Sequence, residues 1–115
     1  MAGLIETVVR MTLDEHRYDE MDQYYHPDFI YVRELEMLDY EQMKRHVIDD
    51  FGTGHQQSTN RKTLFEDDLT VVFDHDIAQY HSAGSQIGDA HRVRVVTLLQ
   101  DGLIWRQFLT RVVIS

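Results

Sequence analysis

"HRVRVVTLLQDGLIWRQFLTRVV", residues 91–113, sets an Asp-Gly between two apolar-rich runs. That pattern is a strong short-range signal for a β-hairpin closed by a two-residue turn. With Asp101 and Gly102 as the turn, Gln100 faces Leu103, Leu99 faces Ile104, and side chains alternate between two faces outward from there. One face then carries His91, Val93, Val95, Thr97, Leu99, Ile104, Arg106, Phe108, Thr110 and Val112. The other carries Arg92, Arg94, Val96, Leu98, Trp105, Gln107, Leu109 and Arg111. The first is mostly a packing surface. The second mixes a Trp and aliphatics with three arginines and an amide, which suits a pocket wall or a half-wet surface.

The rest of the chain must complete this hairpin. Its 115 residues make one domain, 1–115, and 43% apolar content supplies a core. A formal charge of -9 argues against a nucleic-acid partner, whose phosphates need clustered Lys and Arg. With no cysteine, disulfide and thiolate chemistry are excluded. "MAGLIETVVRMTLDEH" interrupts its apolar pattern with Glu6 and Arg10 and so does not read as a signal peptide. No run is long enough to span a bilayer, and a cytoplasmic protein without a membrane partner is expected.

From about Gly3 to His16, Leu4, Ile5, Val8, Val9, Thr12 and Leu13 recur at helical spacing. A second short helix over Tyr18–Tyr25 must stop at His26, because Pro27 disfavours helical geometry in the residue before it. "DFIYVRE" reads as a strand with Phe29, Tyr31 and Arg33 on one face. Asp39 and Gln42 form a capping box for the next helix, Leu38 and Met43 can staple it, and its stripe is Tyr40, Met43, Val47, Ile48 and Phe51. "GTGHQQSTN" reads as a loop. Strands follow in "KTLFEDDLTVVF" and "IAQYHSAG", with turns expected at "DHD" (74–76) and near Gln86–Asp89. Helices first and a meander of antiparallel strands after them give an α+β domain, its helices packed on one face of a curved sheet.

This order resembles the NTF2-like superfamily, and within it the small SnoaL-like and ketosteroid-isomerase-like proteins. The resemblance rests on "YYHPDFIYV", "LDYEQMKRHVIDDF", "LTVVFDHDIAQYHSAG" and "VTLLQDGLIWRQF", and it covers nearly the whole chain. It implies a cone in which a curved antiparallel sheet wraps around N-terminal helices, a deep pocket between them, and a homodimer formed through the sheet. It implies no single chemistry. Where ketosteroid isomerases carry their basic Asp, this chain has Arg33; their Tyr falls near Val9, and their late-strand acid around Arg92–Arg94. Where SnoaL-type cyclases place a carboxylate on the last strand, "LIWRQFLTRVV" has none. By analogy with those relatives, Trp105, Gln107, Leu109 and Arg111 face the pocket, and Arg92 and Arg94 with them. Val93, Val95, Phe108 and Val112 then form the outer, dimer-forming face.

Two functional readings follow. In one, a cofactor-independent lyase or isomerase uses His81 as base, since an imidazole near its ordinary pKa suits acid-base work, with Tyr31 or Tyr24 orienting a hydrophobic carbonyl compound. In the other, Arg92, Arg94 and Arg111 hold an anionic group while Trp105 and the aliphatics cover the rest of a small ligand, with Tyr18, Arg33, Gln107 and Leu109 also in the lining. A ligand-free association domain is the third possibility, in which the histidine is a surface group and the tyrosines are ordinary core residues. His26 with Asp28, and "DHD", resemble metal clusters only in composition. Neither has a recognised ligand spacing, so no metal or cofactor is expected.

Overall fold

Asp101 and Gly102 both adopt positive φ, 55° and 76°, as a type I′ turn requires. They join β5 (Gln86–Gln100) to β6 (Leu103–Val113) as the sequence indicates. The computed structural model describes residues 3–82 and 84–114. Ahead of the hairpin come α1 (Leu4–Val9), which runs on as a π-helical turn over Arg10–Asp14, and a 3-10 helix over Tyr18–Gln23. Then follow β1 (Tyr25–Arg33), β2 (Glu36–Asp39), α2 (Tyr40–Phe51), β3 (Gln56–Glu66) and β4 (Thr70–Tyr80).

The strands form one six-stranded sheet in the order β2-β1-β6-β5-β4-β3. All neighbours are antiparallel except β1 and β6, which run parallel, so the sheet is mixed where an antiparallel one was expected. The cause is connectivity. After the β1–β2 hairpin the chain crosses through α2 to the far edge, and the three remaining turns walk β6 back alongside β1 in the same direction. Ile5, Val8 and Met11 from the first helix, Met43 from α2, and Phe29, Phe73 and Ile104 from the sheet close the core between the two layers. Helices on one side of a curved sheet give the α+β cone.

Local chemistry accounts for α2 well. Asp39 Oδ1 accepts from the Gln42 N–H at 2.9 Å, and Gln42 Oε1 accepts from the Asp39 N–H at 3.0 Å, satisfying two donors that a helix start leaves orphaned. Leu38 and Met43 are both buried as the staple. Of the expected stripe, Met43 and Phe51 are buried, whereas Ile48 stays 39% exposed.

Two boundaries differ from expectation. "DHD" is no turn but the middle of β4: Asp74 and Asp76 pair across the sheet with Arg94 and Arg92, while His75 points to the other face. The chain reverses instead at Asp67–Leu69, where Asp67 Oδ1 accepts from the N–H groups of Leu69 and Thr70, each at 2.8 Å. Strand β3 likewise begins at Gln56, inside the stretch expected as loop.

The hairpin itself carries the decisive irregularity. Leu99 pairs with Ile104, but Leu98 pairs with Arg106, which leaves Trp105 as one extra residue on β6. A single-residue bulge exchanges the faces of everything beyond it. Thr97 therefore lies opposite Gln107, Val95 opposite Leu109 and Val93 opposite Arg111. Arg106 fastens the irregular corner, stacking over the Trp105 ring at 4.0 Å and donating from Nη1 to the carbonyls of Asp28 and Trp105.

Candidate functional site

Between the concave face of the sheet and the helices lies a cavity of about 480 Å³. Its roof is apolar: Ile5, Val8, Val9 and Leu13 from the first helix, Val47 and Phe51 from α2. The π-helical turn widens the last turn of the first helix and directs Thr12 and Leu13 into the cavity, and such turns recur at functional sites. The floor is built from strands by alternation: Tyr31 and Arg33 of β1, Gln107, Leu109 and Arg111 of β6, Val93 and Val95 of β5, His75 and Ile77 of β4.

Three polar groups stand out in this wall. Tyr31 is largely buried, and desolvation pushes its phenol up to about 12, so it remains a hydrogen-bond donor at neutral pH. Gln107, directly across from Tyr31 on the neighbouring strand, donates from Nε2 to Thr97 Oγ1 at 3.0 Å, which fixes its amide. His75 is 7% exposed, and its Nδ1 lies 2.7 Å from Ser58 Oγ. Burial, followed by the nearby Arg61 guanidinium, pushes the imidazole down to about 4 and keeps it neutral. Ser58 Oγ also accepts from Arg61 Nε at 3.1 Å, and Arg61 in turn holds Asp14 with both terminal nitrogens, at 2.6 and 2.5 Å. A continuous line of side chains thus runs from the π-helical turn to the histidine.

The mouth is charged but internally matched. Arg33 donates from Nε and Nη2 to Glu36 Oε1 at 3.1 and 2.7 Å, and Arg111 donates from Nε to Glu34 Oε1 at 2.8 Å. His46, Asp50, Asp89 and His91 complete the rim.

Of the residues expected at the site, Tyr31, Arg33, Gln107, Leu109 and Arg111 line this cavity. The others lie elsewhere. His81 is exposed in the β4–β5 connection, because β4 ends at Tyr80, whereas the strand was expected to run on through His81 to a turn near Gln86–Asp89. Arg92 and Arg94 project from the opposite face, each forked onto a carboxylate, Asp76 and Asp74, that sits directly across on β4. Both carboxyls are held below their ordinary range by those guanidinium groups. Trp105 is the bulge residue under Arg106 and does not reach the cavity. Tyr24 packs against the core, its carbonyl accepting from the Ile104 N–H, and Tyr18 stacks on His16 with its hydroxyl buried. His75 and His91, by contrast, were placed outside the site by the turn reading and the unbulged register. His26 and Asp28 form a local backbone contact, Asp28 N–H to His26 Nδ1 at 3.0 Å. Among the described residues no cluster of three or more His, Cys, Asp or Glu is arranged to hold a metal ion, and no helix is long and apolar enough to cross a membrane.

A curved sheet closed on one side by N-terminal helices, with a cavity opening between them, defines a class of small cone-shaped domains. Solved structures identify the class. An NTF2-like protein of unknown function from Cytophaga hutchinsonii superposes with a TM-score of 0.70 at 12% identity, covering 97% of this chain and 92% of that one. A candidate polyketide cyclase from Acidithiobacillus ferrooxidans gives 0.68 at 17% identity, covering 93% and 84%. A candidate SnoaL-like polyketide cyclase from Jannaschia sp. CCS1 gives 0.67 at 16%, covering 93% and 83%. No family model matches the sequence, and no curated protein does. The chain has the NTF2-like fold, and SnoaL-like structures are among those it resembles.

Proposed function

We propose that this chain binds a small, partly apolar molecule in the cavity and moves a proton on it, as a cofactor-independent lyase or isomerase with His75 as proton acceptor. The observation that carries the reading is a neutral imidazole held in the wall of an apolar cavity by a fixed hydrogen bond. Ser58 Oγ has two lone pairs and Arg61 takes one, so the other can accept from His75 Nδ1–H, leaving Nε2 with its lone pair free for a bound molecule. A proton removed from carbon next to a carbonyl would pass to Nε2, and the electron pair would move onto the carbonyl oxygen. The imidazolium would then return the proton to another carbon, giving an isomer, or to a departing hydroxyl, giving water and an alkene. Tyr31, protonated at neutral pH, orients the polar end of the molecule as a donor, with Gln107 beside it.

The test uses 5-nitrobenzisoxazole, an uncharged aromatic whose C–H deprotonation breaks its N–O bond and releases a coloured cyanophenolate. The expected result is turnover by the native chain that falls about a hundredfold in His75→Ala, with the variant still folded and still binding a neutral hydrophobic dye. Equal turnover in the two proteins would overturn the role of His75.

The absence of a carboxylate on the cavity face of β6 favours a second reading, non-catalytic binding in the same cavity. It expects dye binding with no turnover in either protein. For partners, we infer a second copy of this chain on the convex face. Val32, Val96 and Phe108 are neighbours there, Phe108 and Val112 are 40% and 62% exposed, and the adjoining arginines are already paired with carboxylates.

A further inference from the structure

We infer that the cavity admits uncharged molecules and turns away anions, because Glu34, Glu36 and Asp50 cancel the two arginines at its mouth. This rests on the reading of the cavity as a small-molecule site and names the class of molecule it takes.

The sequence alone suggests an anion clamp of Arg92, Arg94 and Arg111. The bulge at Trp105 removes this option by leaving Arg92 and Arg94 on the other face. The guanidinium groups that do reach the mouth, Arg33 and Arg111, each have a carboxylate from the β1–β2 hairpin. Glu36 is the direct cross-strand partner of Arg33, and Glu34 sits in the intervening turn at φ 54°, so both acids are delivered by the same short piece of backbone. An incoming carboxylate or sulfonate would have to displace an acid tethered beside its arginine. Asp50, on α2, faces the same group of residues and acts electrostatically on both Tyr31 and Arg33. The mouth therefore sets two cations against three anions, and Asp89 on the rim adds to the excess. Deeper in, the imidazole of His75 is neutral and Arg61 is committed to Asp14, so neither supplies a free cation to compensate. Like charge at a cleft with low-dielectric walls is a device for exclusion as well as for steering.

The experiment compares two dyes with the same ring system, N-phenyl-1-naphthylamine, which is uncharged, and 8-anilino-1-naphthalenesulfonate, which carries one sulfonate. The neutral dye is titrated by fluorescence at low salt, and the sulfonate is measured by its displacement of the neutral dye, so that only the shared site is read. The expected result is that Glu34→Gln with Glu36→Gln leaves the neutral dye's affinity unchanged and strengthens the sulfonate by about fivefold or more, a gain that shrinks as salt is raised. An unchanged ratio in the double variant, or native protein that prefers the sulfonate, overturns the inference while leaving a small-molecule site in place. Failure of the neutral dye to bind overturns the binding reading and this inference with it.

Discussion

His75 sits between two aspartates on one strand, yet the three side chains do opposite things. Asp74 and Asp76 face outward and meet Arg94 and Arg92, while His75 faces inward to Ser58 and the cavity. Strand alternation alone produces this division. It also gives His75 a thermodynamic signature. In the unfolded chain the imidazole takes up a proton as the pH falls below its ordinary 6.5, whereas in the fold it stays neutral until about 4. Across that window the unfolded state binds more protons, so stability must fall as pH drops from 6.5 to 4 and this group must add nothing further below it. The loss is on the order of 3 kcal/mol. Urea midpoints at pH 6.5 and 4.5 should show it, and His75→Gln should flatten the difference. The same pH dependence in both proteins would mean that the imidazole is not desolvated in the fold. At this scale alternation was enough to group Tyr31 with Arg33 on β1 and Gln107 with Leu109 and Arg111 on β6, while the choice of the cavity face for the second group came from the resemblance. His75 was not, since a polar triplet reads as a turn unless its strand partners are known.

The bulge at Trp105 is the element that decides the site. Without it, β6 would present Arg106 and Phe108 to the cavity and send Gln107, Leu109 and Arg111 to the convex face. Deletion of Trp105 should therefore destroy the cavity rather than merely weaken a contact. The expected outcome is a chain that loses cooperative unfolding or aggregates, as read by thermal melts and light scattering; a deletion variant with a native melt would mean that the register is not set here. The capping box of α2 provides a milder test. Asp39→Ala leaves the N–H of Gln42 without its acceptor and should cost about 1 kcal/mol in denaturant midpoint without changing the cavity. The box and the Leu38–Met43 staple were legible because each depends on residues within one turn. The π-helical turn was not, since the spacing of apolar residues over Gly3–His16 fits a regular helix equally well.

For the whole molecule, the parallel pairing of β1 with β6 joins the β1–β2 hairpin to the other four strands in one sheet whose edges are β2 and β3. That pairing also sets Val32 beside Phe108 on the convex face. If a second copy covers this face, Phe108→Asp should give monomer in sedimentation velocity where the native chain gives dimer, with the cavity still binding neutral dye. A native chain that sediments as monomer, or a variant that stays dimeric, would place the contact elsewhere. What the sequence by itself determined was the order of helices before sheet, the type I′ turn, the helix cap and the faces of β1, because these follow from interactions between residues close in the chain, whereas the short β2 went unread. Only the tertiary structure decided the parallel pairing of β1 with β6, the position of the β3–β4 and β4–β5 reversals, and the face on which each arginine ends. Those depend on which strand lies alongside which, and a single inserted residue at Trp105 reverses the outcome for the strand beyond it.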